Sequence, residues 1–497
     1  MPGRLSFALA AAALLLGGAA VTPAPACAQN DSSSGEETER PNILVLIADD
    51  LGWRDVGAYG SDVTRTPHID QLAERGLKVE RAFLTTSSCS PSRISMISGR
   101  YPHEADAEDL HMPIADSVRT LPSFLSERAG YFTGLIGKAH GPPRDQFDWW
   151  DDQWRSTGVE DLRAFLDEKP EGAPFLMWTG FLQPHRPFGD LTTDAPTIEE
   201  PTDPDAVPVP PYLADRPDTR RDLADYHDAV AAMDVQIGNY LDELEKRGLR
   251  ENTLVVFVSD NGAPFPRAKG SVYDAGVRTP LIVQGPGVDA GVTYDGLTST
   301  VDLAPTLLEA AGVRVPRQAM TGESIAEMFT DQTAAGRERV YSMRNWHNTD
   351  AHIRSVRTDE WRLVTNGYPE RRYPILGANP SWYDLDSLHE AGALTKAQHR
   401  IFERPRAAAE LYDVSADPYQ TRSVAGEPAH AERTERLAER LWKWRKATGD
   451  APAHLRRRPD NLDRKTGRFI RPDVPPFIEY TLRPDRREEV LPGVRPD

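Results

Sequence analysis

The stretch Asn42-Ile43-Leu44-Val45-Leu46-Ile47-Ala48-Asp49-Asp50 decides the fold. Its apolar run, rich in branched side chains, predicts a strand that is buried on both faces, as in a parallel sheet covered by helices. A second run of the same kind, Thr253 to Ser259, ends in Asp260-Asn261. Open parallel sheets bind ligands beyond the carboxyl ends of their strands, so we expect the two polar pairs to meet although they are far apart in the chain.

Three carboxylates that meet in one cleft raise one another's pKa values unless a cation neutralises them. Asp49, Asp50 and Asp260, together with the amide of Asn261, form an all-oxygen set of the kind that binds Ca²⁺ or Mg²⁺. The sequence contains no cysteine and histidine cluster with the spacing of a zinc site. We therefore predict one divalent cation at this place, Ca²⁺ with Mg²⁺ as the alternative.

Cys89 begins the segment Cys89-Ser90-Pro91-Ser92-Arg93 and is one of two cysteines in 497 residues. A lone cysteine is often buried and inert. The spacing here, however, closely resembles the Cys-x-Pro-x-Arg signature of the type I sulfatases of the alkaline phosphatase superfamily. The resemblance implies that a formylglycine-generating enzyme oxidises Cys89 to formylglycine (3-oxoalanine), whose hydrate attacks sulfur. It also implies that the modified Cys89 contacts the metal and that Arg93 steadies the hydrate.

Two further apolar runs end in groups suited to acid–base chemistry, Lys138 with His140 and then His185. Sulfuryl transfer needs cations on the sulfate oxygens, a proton donor for the leaving group and a base. The family resemblance implies that Lys138, His185 and Lys269 bind the substrate. It assigns leaving-group protonation to His185, and to His140 the proton that is removed when the sulfated enzyme releases sulfate.

The segment from Asp260 to Pro266 and the run from Val207 to Leu213 resemble the subgroup that contains heparan N-sulfatase (sulfamidase). In that subgroup arginine can stand at the position of Lys269, whose ammonium group lacks the bidentate fork. We expect a sulfatase acting on a carbohydrate sulfate, from a glycosaminoglycan or an algal polysaccharide such as ulvan. N-sulfoglucosamine sulfohydrolase (sulfamidase) is one alternative, and a phosphodiesterase or phosphonate hydrolase of the same superfamily is another. A non-catalytic polysaccharide-binding protein is disfavoured by the intact Cys89 motif.

Strands alternate with helical patterns over residues 41–335, which predicts an α/β catalytic domain with a mainly parallel sheet between helices. The family resemblance implies that this core is alkaline-phosphatase-like. Residues 336–450 predict a smaller C-terminal α+β subdomain with an antiparallel sheet, including a hairpin over residues 353–364. Residues 29–40 resemble a disordered linker, and residues 451–497 an extended tail rich in proline and arginine.

The N-terminus predicts an export signal over residues 1–28, because Arg4 precedes an apolar stretch and Ala26-Cys27-Ala28 offers a cleavage site. Cleavage would remove Cys27 and leave Cys89 without a disulfide partner. The protein is therefore predicted to be periplasmic or secreted, with a lipoprotein anchored through Cys27 as the alternative. No other stretch is long and apolar enough to span a membrane.

The formal net charge of −18 argues against a nucleic-acid partner. A polyanionic sugar substrate would be repelled by this charge and would need a local basic patch. The candidates for such a patch are Arg216, Arg220, Arg221, Arg354 and Arg357.

Overall fold

Helices cover both faces of a large, mainly parallel sheet in this computed structural model. The structure describes residues 40–151, 157–188, 198–314, 316–347, 350–371, 373, 379–452, 462–463 and 468–469. The predicted signal peptide, the predicted linker apart from Arg40, and most of the predicted tail lie outside the described residues. From Arg40 onward the described chain belongs to one unit.

The strands are β1 (Asn42–Ala48), β2 (Leu77–Val79), β3 (Ala82–Phe83), β4 (Phe132–Gly137), β5 (Trp149–Trp150), β6 (Phe175–Gly180), β7 (Thr253–Ser259), β8 (Arg278–Thr279), β9 (Leu281–Gln284), β10 (Val292–Tyr294), β11 (Thr298–Ser299), β12 (Val340–Arg344), β13 (Ile353–Arg357), β14 (Trp361–Asn366), β15 (Ala409–Asp413), β16 (Leu462–Asp463) and β17 (Arg468–Phe469). The α-helices are α1 (Pro67–Glu74), α2 (Cys89–Ser98), α3 (Leu121–Ala129), α4 (Val159–Glu168), α5 (Pro217–Lys246), α6 (Asp274–Val277), α7 (Leu303–Ala310), α8 (Pro380–Glu390), α9 (Lys396–His399) and α10 (Ala431–Thr448).

Strand β1 lies inside the large sheet, whose order over the described residues is β10-β2-β9-β7-β1-β6-β4-β5. It pairs in parallel with both β6 and β7, while β9 is antiparallel to its neighbours. Alternate residues of β1 enter two different cores, because Leu44 belongs to the apolar cluster that includes α5 and Val45 to the one that includes α3 and α7. The predicted α/β class and its buried central strand are therefore confirmed.

A second, antiparallel sheet has the order β12-β13-β14-β15 within the described residues. Strands β13 and β14 form the predicted hairpin, with Ser355 opposite Val364. Helix α10 packs on this sheet, and Leu441 and Val356 belong to the same separate apolar cluster. Inside the predicted tail, β16 pairs with β17 in a short antiparallel ladder. Among the described helices, none is both long and apolar enough to cross a bilayer.

Four of the five arginines of the predicted basic patch already have carboxylate partners, and two of these four are buried. Arg354 is 1% exposed and donates to Asp450 at 2.8 and 2.6 Å. Arg357 is also buried and lies 3.6 Å from Asp274. All five residues of β13 are buried, so these two arginines do not lie on the surface. The helix α5 candidates are also paired, Arg220 with Asp215 and Arg221 with Asp218.

Candidate active site

The carboxyl ends of β1 and β7 bring the two predicted acidic pairs together. The two strands are parallel neighbours with Ala48 opposite Ser259, so the residues that follow them emerge side by side. The backbone N–H of Asp260 donates to Ala48 O at 3.1 Å, and that of Asp50 donates to Asp260 Oδ1 at 3.2 Å. The aspartates are therefore held in a fixed arrangement by strand register and by direct hydrogen bonds.

Cys89 is the first residue of α2 and points into this acidic cluster. Its Sγ lies 3.9 Å from Asp49 Oδ1, and Asn261 Nδ2 donates to it at 3.4 Å. The side chain is 2% exposed, and burial raises the pKa of the thiol to about 11 although nearby lysines oppose the shift. At neutral pH the unmodified thiol is thus protonated and poorly suited to act as a thiolate nucleophile.

Each buried carboxylate of the cluster faces one cation. The three contacts are Lys138 Nζ against Asp49 Oδ2, Lys269 Nζ at 2.6 Å from Asp50 Oδ2, and Arg93 Nε at 2.6 Å from Asp260 Oδ2. A second donor of the guanidinium, Arg93 Nη1, bonds Lys138 O at 2.8 Å. The predicted sulfate-binding cations therefore converge on the acidic cluster.

The two adjacent aspartates respond differently to the same surroundings. Burial would raise the pKa of Asp49, but Lys138, His185 and Lys269 together outweigh burial and lower it, so the group stays ionised. Burial does raise the pKa of Asp50, and the nearby charges of Asp49 and Asp260 add to the rise. Additional positive charge near Asp50 would therefore stabilise the ionised forms of these closely packed carboxylates.

The oxygen set fits a hard divalent cation. Asn261 Nδ2 donates to Asp50 Oδ1 at 3.1 Å and to Asp260 Oδ1 at 2.7 Å, while its buried Oδ1 has no hydrogen-bond partner among the described residues. Ligand atoms of Asp49, Cys89 and Asp260 lie within 4.8 Å of one another. An unused amide oxygen beside clustered carboxylates is the donor set expected for Ca²⁺ or Mg²⁺.

The two predicted histidines lie at the accessible edge of this buried cluster. His185 Nε2 is 3.8 Å from Asp50 Oδ2, and its side chain is 36% exposed. His140 Nε2 lies 2.8 Å from His111 Nδ1. Burial, followed by the charges of Lys138 and His111, lowers the pKa of His140 well below its usual range. His140 is therefore neutral at neutral pH and able to accept a proton.

Two histidines that the sequence did not single out complete this edge. His111 contacts His140, and His347 Nδ1 lies 2.9 Å from Ser88 Oγ. His347 follows the end of β12, as the predicted site residues follow their strands, and this is the signal that could have identified it. His111 lies in a loop between α2 and α3 and carries no comparable signal.

The amino-acid sequence matches two family models and several known proteins. Residues 41–313 match the model described as Sulfatase, and residues 268–404 match the model described as N-sulphoglucosamine sulphohydrolase, C-terminal. Human N-sulphoglucosamine sulphohydrolase is 32% identical over 480 residues, covering 86% of this chain and 94% of its own. An ulvan-active sulfatase of Formosa agariphila is 29% identical over 461 residues, covering 83% of this chain and 76% of its own.

Solved structures share the fold. A protein crystallised with its substrate D-glucosamine-2-N,6-O-disulfate has a TM-score of 0.64 and 21% identity, covering 83% of this chain and 98% of that one. A phosphonate monoester hydrolase of Agrobacterium radiobacter has a TM-score of 0.62 and 18% identity, covering 82% of this chain and 96% of that one. At such identities the similarity concerns the fold, and it confirms the expected alkaline-phosphatase-like core.

Proposed function

The chain belongs to the sulfatase family of sulfuric ester hydrolases, and we propose that it removes sulfate groups from a sulfated carbohydrate by using formylglycine at position 89 and a divalent cation. The observation that carries this proposal is the position of Cys89 Sγ, 3.9 Å from Asp49 Oδ1 and 3.4 Å from Asn261 Nδ2. A hydrated aldehyde at this position lies directly beside the oxygen set that fits the cation.

The residues around position 89 have distinct tasks in this proposal. A cation held by Asp49, Asp50, Asp260 and Asn261, Ca²⁺ with Mg²⁺ as the alternative, supplies positive charge for the sulfate oxygens when it is bound. The side chain at position 89 would lie beside the same cation.

Cationic side chains add to this charge. Lys138 and Lys269 contact the remaining sulfate oxygens from the two sides of the cluster. Arg93 is fixed by Asp260, and its buried Nη2 has no hydrogen-bond partner among the described residues, so it can donate to an oxygen of the hydrate at position 89.

The histidines donate and accept protons at the edge of the site. His185 is 36% exposed and lies 3.8 Å from Asp50 at the accessible edge of the cluster, so in the proposed mechanism it donates the proton to the leaving group. His140 is neutral because of its surroundings and accepts the proton that is lost when sulfate is released.

The substrate class is supported by the relatives and by the charge of the site. The named relatives act on N-sulphoglucosamine and on ulvan, which are both carbohydrates. Three buried cations, Arg93, Lys138 and Lys269, converge on one cleft of a chain whose net charge is −18. Each of these cations faces one carboxylate, so a divalent cation bound at the site would give the cleft a net positive charge, which favours entry of a sulfate group against the overall field.

Sulfamidase activity, which cleaves an N–S bond, is a second candidate function. The match of residues 268–404 to the N-sulphoglucosamine sulphohydrolase C-terminal model is consistent with it. Hydrolysis of O-sulfated and N-sulfated glucosamine by the same preparation distinguishes the two candidates. A phosphodiesterase or phosphonate hydrolase activity is tested in parallel with a phosphodiester substrate.

We propose further that the protein is exported to the periplasm or secreted and is activated by a formylglycine-generating enzyme. The composition of residues 1–28 supports export, and the Cys-x-Pro-x-Arg segment supports the modification. Because the thiol is buried in the folded protein, modification of Cys89 is expected before folding is complete.

The deciding experiment is co-expression with a formylglycine-generating enzyme, followed by mass spectrometry of the peptide that contains position 89. The active protein should show loss of the thiol sulfur and gain of an aldehyde oxygen, and Cys89→Ala should fold but not release sulfate. Full sulfatase activity with unmodified Cys89 would overturn the proposal. A panel of defined sulfated oligosaccharides then identifies the sugar.

A further inference from the structure

Two histidines at the edge of the site, His111 and His347, have no part in the proposed sulfate chemistry. Both are more accessible than the cluster beneath them, since Asp49, Asp50 and Cys89 are at most 2% exposed. His111 is exposed and His347 is half-buried. Unlike the buried cluster, these two side chains are therefore accessible to the rest of a substrate.

Both histidines are fixed to the residues that flank the nucleophile. His347 Nδ1 lies 2.9 Å from Ser88 Oγ, and the backbone N–H of His111 donates to Ser90 Oγ at 2.8 Å. Ser88 and Ser90 stand on either side of position 89 in the chain. The two loops that carry the histidines are thereby held beside the reacting residue.

The same two loops are also tied to each other. Trp346 N–H donates to Asp109 Oδ1 at 2.9 Å, and Leu110 N–H donates to Trp346 O at 3.1 Å. His111 has a φ of 66°, an unfavourable backbone conformation for a residue other than glycine. Such a conformation persists only where the surroundings impose it, and it occurs preferentially at functional sites.

The chemistry of this edge differs from that of the buried cluster. Burial and the charges of Lys269 and Arg344 lower the pKa of His347 well below its usual range, so its imidazole is neutral at neutral pH. A neutral imidazole has one donor and one acceptor nitrogen. Sugar hydroxyl groups also both donate and accept, whereas a sulfate group only accepts. The edge therefore suits the sugar and the buried cluster suits the sulfate.

We propose that His111 and His347 bind the sugar ring that carries the scissile sulfate and so select a carbohydrate sulfate over a simple aryl sulfate. The contact of His347 Nδ1 with Ser88 orients Nε2 on the opposite edge of the ring for this purpose. The inference rests on the proposed sulfatase function and adds to it the residues that recognise the sugar.

The test compares 4-nitrophenyl sulfate, which has no sugar, with D-glucosamine-2-N,6-O-disulfate and sulfated ulvan oligosaccharides. For His111→Ala and His347→Ala, kcat/KM on the sugar sulfate should fall about tenfold more than on the aryl sulfate, the size expected for one lost hydrogen bond. The loss should lie mainly in KM, because the sugar contact is made in the ground state as well as the transition state. His347→Asn, which keeps a donor and an acceptor, should recover part of it.

The control is His399→Ala, because His399 is an exposed histidine at the end of α9 and should change neither substrate. Equal losses on both substrates, or no loss on either, would overturn the sugar-binding role. So would a wild-type enzyme that hydrolyses the aryl sulfate but none of the sugars. A wild-type enzyme with formylglycine that hydrolyses no sulfate ester at all would instead overturn the proposed function on which this inference rests.

Discussion

Replacing Asp260 with alanine should destabilise the protein strongly, even when no metal is bound. The Arg93 and Asp260 side chains are both 0% exposed, and Nε lies 2.6 Å from Oδ2. Removing the carboxylate leaves a guanidinium buried without its counter-ion, which costs about 3–5 kcal/mol in comparable cases. The expected loss therefore amounts to a large part of the total stability of an ordinary domain, which is about 5–15 kcal/mol.

The assay is urea unfolding of wild type and variant in the presence of a chelator, so that loss of a metal ligand does not contribute to the difference. The matched control is Asp218→Ala, which removes the partner of Arg221 in an ion pair whose side chains are 59% and 63% exposed. Solvent screens such a pair, and its loss should cost less than about 1 kcal/mol.

A double variant separates the buried charge from the loss of packing. Arg93→Met combined with Asp260→Ala removes both charges, and it should be more stable than Asp260→Ala alone because no uncompensated guanidinium remains. Asp260 does not neutralise the buried charge of Arg93 if Asp260→Ala lowers the free energy of unfolding in chelator no more than Asp218→Ala does. The same conclusion follows if the double variant is less stable than Asp260→Ala alone.

Three further predictions concern metal, pH and proton transfer. Chelation should lower both sulfate release and melting temperature, and Ca²⁺ should restore both; unchanged values would refute the metal assignment. Burial raises the pKa of Asp234 to about 7, so its protonated form contributes stability that is complete below about pH 4 and lost as pH rises through about 7. The melting temperature of Asp234→Asn should therefore change less between pH 5 and 8 than that of wild type, and an equal slope would contradict this. His185→Ala should slow poor leaving groups far more than activated aryl sulfates, whereas His140→Ala should slow sulfate release equally across the series; identical profiles would refute this division.

The acidic cluster and the central strand could be predicted because both depend on local sequence. In a parallel sheet, aspartates that follow an apolar strand lie at the carboxyl end of that strand. The register of β1 and β7, with Ala48 opposite Ser259, then places Asp49 beside Asp260. The contacts of Arg354 and Arg357 could not be predicted in this way. Their carboxylate partners, Asp450 and Asp274, come from distant parts of the chain, and only the folded structure shows that both faces of β13 are covered.

The edge of the site was hard to predict for a related physical reason. Its histidines stand on loops, and the positions of these loops are set by tertiary contacts such as that of Trp346 with Asp109. Those hydrogen bonds are separate from the strand ladder that positions Asp49 and Asp260. If these loops bind the sugar as proposed, changes in them alter which sugar is accepted without disturbing the buried cluster of cations and carboxylates. A scaffold of this kind can keep one reaction while its substrates diverge, which agrees with relatives named for substrates as different as N-sulphoglucosamine and ulvan.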